Sequence, residues 1–173
     1  MSSKRRTWLS AIGAVLVTGG LVTSTVEAQV WDKNYPEAAR FQKLAAFQNQ
    51  AVLDKNTGLV WEQAPGPELM LWSDAAGWCL AKTVGLTRGW RLPSVMELVS
   101  VLAVEPGGQA FVPPVFTFAG GFVAPWWTAT TMAPDPGTAW TVDDRGHIIT
   151  SGGKQFGTNL AWCVRGPMQE SVY

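Results

Sequence analysis

The sequence predicts an α+β fold, with two helices packed on small antiparallel sheets and long irregular loops between them. Three observations carry that expectation. Residues 89–102 (GWRLPSVMELVSVL) contain a complete start signal for a buried helix. Residues 72–80 repeat apolar side chains at helical spacing. Toward both ends of the chain, short β-rich runs are separated by turns built on Gly, Asn and Asp.

In chain order, Lys4, Arg5 and Arg6 precede an apolar run over residues 11–22, and Val26 and Ala28 are small residues at cleavage-site spacing. Residues 1–28 are therefore expected to be a signal peptide. An N-terminal extension (29–39), a single domain (40–167) and a C-terminal tail (168–173) then follow. An uncleaved anchor is the alternative, because residues 7–26 carry no charge, but Gly19, Gly20 and several Ser and Thr residues weaken it. After cleavage no stable membrane insertion is expected. The export route stays open between a twin-arginine pattern at Arg5, Arg6, Thr7, Trp8 and Leu9 and an ordinary basic leader. No Cys lies directly after the apolar run, so a lipid anchor is not expected and the destination is the periplasm or the medium.

Losing the signal removes three basic residues and one acidic residue, so the neutral full chain becomes slightly acidic. No run of Lys or Arg remains, which argues against nucleic acid or an anionic membrane as a partner. About 145 residues suit one domain that buries roughly two thirds of its unfolded surface. The two cysteines, Cys79 and Cys163, are expected to form a disulfide in an exported chain. Such a bridge would close about 84 residues and contribute about 4 kcal/mol in the chain-entropy view. A metal site or a catalytic thiol is the alternative, and other soft ligands are lacking nearby in sequence.

Each element has a local reason. Residues 34–49 are ambiguous: Phe41, Leu44 and Ala45 fit a helix, but a strand is the expectation adopted, on the resemblance described below. AVLD (51–54) and LVWE (59–62) flank Lys55, Asn56, Thr57 and Gly58, which reads as a hairpin with Gly in the left-handed region. Asp54 and Asn56 are turn residues in this reading, since the third ligand and distal Glu of a calcium loop are missing. Next, Trp72, Ala75, Ala76, Cys79 and Leu80 follow helical spacing behind a Ser73 cap, with Asp74 in the first turn. Pro93 holds Leu92 extended, Ser94 caps, and Glu97 completes a capping box, so the second helix begins at Val95. Val95, Leu98, Val99, Val101 and Leu102 carry it until Glu105, Pro106 and Gly107 stop it.

Residues 106–125 are rich in Gly, Pro and Phe and are expected to form an irregular loop. A strand over 126–131 precedes a turn at 133–137. Residues 139–142 and 147–150 pair across Asp143, Asp144, Arg145 and Gly146. A polar loop (151–158) leads to 160–165, which closes the sheet beside the early strands.

The series VLDKNTGLVWE, a helix-like segment ending in WCLA, GWRLPSVMEL, WWTATT, AWTVDDRGHI and AWCVRG spans about residues 40–167. It resembles the Lcl C-terminal domain family, named after the C-terminal part of the Legionella collagen-like adhesin. The resemblance implies a fold related to C-type lectins and formylglycine-generating enzymes, an early strand near 41–47, and a helix-to-last-strand bridge that fits Cys79 and Cys163. It supplies no reaction. The collagen-like Gly-X-Y tract that presents this domain in the adhesin is absent.

Nine Trp follow residue 28, and aromatic rings can stack on the apolar faces of sugars. Core packing accounts for most of them, notably Trp61, Trp90, Trp127, Trp140 and Trp162. Trp126 has the better claim to exposure, because its neighbour Trp127 should face the other side of the strand. With Trp126, the candidate ligand residues are Asp135 in the 132–137 loop and Asp144 and Arg145 at the hairpin tip, the region from which lectin-like folds build a ligand surface. The Glu-Pro-Asn and Trp-Asn-Asp motifs of calcium-dependent lectins are absent, so no metal is expected. His147 is the sole His and would have to act with Asp143 or Asp144 in a Ser-His-Asp arrangement. No catalytic residue and no cofactor are expected. These features point to an exported, non-catalytic, adhesin-like binding module for a glycan or cell-surface component. The alternative is a protein-interaction or structural subunit of the envelope. The name-giving adhesin binds anionic polysaccharide, which the slightly acidic charge here does not favour. An open aromatic groove at Trp126 and the 132–137 loop would favour a glycan, and a flat apolar patch a protein.

Overall fold

The computed structural model describes residues 35–166 apart from 105, 120, 122 and 123. The expected signal peptide, the first part of the extension, Glu105 and the tail lie outside the described residues. In chain order the elements are α1 (Glu37–Arg40), β1 (Phe41–Lys43), a 3-10 turn (Ala45–Phe47), β2 (Ala51–Asp54), β3 (Val60–Glu62), α2 (Trp72–Ala81), α3 (Val95–Val101), β4 (Ala103–Val104), β5 (Ala110–Phe111), β6 (Trp126–Met132), β7 (Asp135–Val142), β8 (Ile148–Gly153) and β9 (Val164–Arg165). The fold is α+β, and its sheets are small and antiparallel: β1-β2-β3-β9, β4-β5 and β6-β7-β8. The last strand lies beside β3, as the sequence suggested.

The first sheet is anchored by one buried carboxylate. Asp54 accepts hydrogen bonds from the Asn56 amide and the Thr57 hydroxyl, which shape the hairpin, while Gly58 takes φ 72°. The same carboxylate pairs with Arg40 at 2.6 Å, and the Arg40 guanidinium also donates to the carbonyls of Ser100 and Leu102. A cation thus caps the C-terminal end of α3. The early strand stops at Lys43, because Gln48 and Asn49 in the left-handed region (φ 54° and 60°) reverse the chain into β2.

Ser94 and Glu97 form the expected capping box, with the Ser94 Oγ accepting from the Glu97 amide at 3.2 Å and the Glu97 carboxylate accepting from the Ser94 amide at 2.7 Å. The helix ends at Val101, earlier than the Glu105 stop suggested. Leu102 is extended, and β4 pairs antiparallel with β5, with Gly107 and Gly108 between them at positive φ. In α2 the expected Ser73 cap is absent. The helix starts at Trp72, whose amide donates to the Lys154 carbonyl at 3.3 Å, so a distant segment supplies the acceptor. The β6–β7 turn is also tighter than expected, occupying Ala133 and Pro134, and β7 begins at Asp135.

Two apolar clusters form the core. One gathers Trp61, Trp126, Trp162, Leu98 and Val142. The other holds Trp90, Trp127, Ala75 and the Cys79–Cys163 disulfide, which joins α2 to the segment leading into β9. The expected exposure of Trp126 is corrected here: it is 1% exposed, and Trp127 is fully buried. Alternation along β6 does send the two rings to opposite faces, but each face meets one of the clusters. Among the described residues no helix is long and apolar enough to cross a membrane.

Candidate functional site

The face of α2 is wider than its core contacts need. Ala75 and Cys79 point into the core, while Trp72, Ala76 and Leu80, spaced i, i+4 and i+8, form the adjoining stripe and wall a cleft of about 390 Å³. Leu92, Arg91, Ser94 and Glu97 from the start of α3 line it too, with Ala129 from β6. Apolar side chains therefore make most of the wall, and one ion pair supplies the charge.

Trp72 is fixed from inside the fold. Its indole Nε1 donates to the Thr128 carbonyl at 2.8 Å, and Lys154 Nζ sits 4.3 Å from its ring centroid. That ammonium also donates to the Thr131 hydroxyl at 2.8 Å, a cation–π contact held by a second bond. The Arg91 guanidinium grips Glu97 through two hydrogen bonds of 2.7 and 2.8 Å. Burial alone would raise the Glu97 carboxyl, but Arg91 and the Ser94 amide outweigh it and hold the group below the usual carboxylate range. Its lone pairs are committed, which suits a fixed electrostatic feature rather than a proton carrier.

The sequence-derived candidates do not assemble with this cleft or with one another. Trp126 is in the core. Asp135 is exposed and accepts from the Gly137 amide and the Thr138 hydroxyl, both of which lower its carboxyl. Asp144 and Arg145 lie past the other end of β7, and its eight residues separate them from Asp135 by roughly 25 Å. At that tip Asp143 organises the turn, accepting from the Arg145 and His147 amides and pairing with the His147 ring at 2.8 Å. His147 thus braces a hairpin. Among the described residues no group of three or more His, Cys, Asp and Glu is arranged to hold a metal ion.

Trp72, Ala76 and Leu80 were read only as helix positions and Arg91 only as part of a motif, so their place on a cleft wall escaped the sequence reading, although each left a trace. Once Ala75 and Cys79 are assigned to the core, an apolar stripe on α2 remains unused. Arg91 lies between Trp90 and Leu92, both buried, so its side chain has to leave the core on the other side.

These features define a disulfide-tied α+β domain with an aromatic-walled cleft. Residues 50–165 match the Lcl C-terminal domain, and the chain belongs to that family. No curated protein matches it.

Proposed function

We propose that the chain is an extracytoplasmic, non-catalytic binding module and that its ligand is a glycan held in the cleft between α2 and the start of α3. The basic leader with its apolar run and the disulfide support an oxidising compartment. The observation that carries the glycan reading is the fixed Trp72 ring beside charged hydrogen-bonding groups. An indole offers a flat apolar surface to a sugar ring, while Arg91 on the cleft wall offers a donor to its hydroxyls. Glu97, saturated by Arg91 and Ser94, orients Arg91 and takes no part in proton transfer.

Binding of the purified protein to an immobilised glycan panel tests this. Saturable binding is expected, weakened at least tenfold by Trp72→Ala and unchanged by Trp78→Ala, which alters an exposed Trp of the same helix outside the cleft. Equal binding by both variants would overturn the assignment. A protein partner is the second reading, favoured by Leu80 and Met96, which are 68% and 66% exposed on the two helices that border the cleft. Under that reading no glycan binds and Leu80→Glu abolishes capture of an envelope partner.

A further inference from the structure

The cleft between α2 and the start of α3 sets hydrogen-bond donors against an apolar wall, and that pairing narrows what it can hold. On the α3 side, the Ser94 Oγ accepts from the Glu97 amide and keeps its own proton uncommitted among the described residues. Arg91 spends both hydrogens of Nη1, on Glu97 Oε2 and the Leu92 carbonyl, whereas Nη2 gives one to Glu97 Oε1 and keeps the other. The Arg91 side chain is 20% exposed and Ser94 is half-buried, so both reach the cleft surface. The Glu97 side chain is 3% exposed and bound on both oxygens, so it offers a ligand little. A ligand therefore meets donors on this side and has to bring the acceptor. Glu97 also cancels the Arg91 charge, which removes the pull that a bare guanidinium would exert on an anion.

The other walls are apolar, and their small residues leave space. Ala76 lies one helical turn beyond Trp72, about 6 Å along α2. Ala129 of β6 stands at an exposed position on the same cleft. A sugar hydroxyl pressed against these two methyls would lose water without gaining a partner, whereas another methyl group fits there. We propose that the unit this cleft takes is a neutral 2-acetamido sugar, such as N-acetylglucosamine. Its ring lies on Trp72, its acetamido carbonyl supplies the acceptor for the Ser94 hydroxyl and Arg91 Nη2, and its methyl rests against Ala76 and Ala129. The acetamido group thus spans the step from the aromatic wall to the small-residue wall. This rests on the glycan reading of the same cleft and names the sugar class. A peptide also joins carbonyls to apolar groups, but the Trp72 ring beside the donors favours the flat face of a sugar.

Calorimetric titration of the purified protein with the trimers of N-acetylglucosamine, glucose and glucosamine in one linkage, and with N-acetylleucine amide, tests the assignment. The acetylated trimer is expected to bind at least about tenfold more tightly than the other two. Ala129→Leu, which adds bulk at an exposed lining position without entering the core, should weaken the acetylated trimer by about tenfold and leave the thermal melt unchanged. A glucose trimer that binds as tightly as the acetylated one overturns the acetamido assignment and leaves the glycan reading standing. So does failure of the acetylated trimer to bind while another sugar on the wider panel does. Binding by no sugar at all ends both. N-acetylleucine amide binding in place of the acetylated trimer overturns the proposal and gives the cleft to a peptide. A preference for the acetylated trimer that survives Ala129→Leu also overturns it, because the methyl then lies elsewhere.

Discussion

Glu62 and Glu97 are both buried, yet their surroundings move their carboxyls in opposite directions. Glu97 is gripped by Arg91 and the Ser94 amide and is lowered, so its stabilisation is present above its ordinary value of 4.5 and is lost as pH falls through the lowered one. Glu62 is raised, so its contribution is full below 4.5 and is lost as pH rises through the raised value. Thermal melts across pH should separate them. Glu97→Gln is expected to cost about 2 kcal/mol at neutral pH, with the gap to wild type closing in acid. Glu62→Gln should not destabilise at neutral pH, and the wild type should gain on it as pH falls. The Glu62 environment is not legible locally, because its Lys82 partner and its burial come from other segments, whereas Glu97 is held by Ser94 and Arg91 close by in sequence. What holds for Glu62 holds for Trp126, whose exposure was inferred from alternation alone: alternation fixed which face each ring takes, and the second cluster decided that neither face was open.

Among the elements, the two helices show what a sequence can reveal. The start of α3 is reciprocal and local, with Ser94 and Glu97 satisfying each other's backbone amides, so it was readable in advance. The start of α2 was not, because the Trp72 amide finds its acceptor at Lys154, far along the chain. Ser94→Ala should therefore cost about 1 kcal/mol in a denaturant melt, whereas Ser73→Ala should change stability by less than about 0.5 kcal/mol. An equal loss for both would mean that Ser73 caps α2 in solution. The stop of α3 was misplaced for a related reason: the Gly-rich stretch serves the β4–β5 turn, and Arg40 at the end of α1 covers the helix carbonyls. The cleft was missed because an apolar stripe on α2 reads the same whether a partner covers it or not.

For the whole molecule, the β2–β3 and β7–β8 hairpins, the place of the last strand and the pairing of Cys79 with Cys163 were legible, since hairpins are local and only two cysteines exist, whereas the β4–β5 pair was not. The bridge has company. The Glu62 amide donates to the Cys163 carbonyl, the Lys82 amide donates to the Cys79 carbonyl, and the Glu62 and Lys82 side chains pair across the same seam. Reduction, or a Cys79→Ala and Cys163→Ala double variant, is expected to cost about 4 kcal/mol and lower the melting temperature by roughly 10–20 °C. An unchanged melt would show that the non-covalent contacts alone hold α2 to the last strand.

Covalent topology also decides how the domain would carry mechanical load. A pull on the two ends of the chain passes through the sulfur–sulfur bond and bypasses the 84-residue span between the cysteines, which contains α3, β4 to β8 and most of the cleft wall. Under tension only the flanking strands and the first part of α2 can be drawn out, so on full extension the oxidised chain is shorter than the reduced one by roughly 290 Å. The part of the domain that carries Arg91, Glu97 and Leu80 is thereby kept off the line of force.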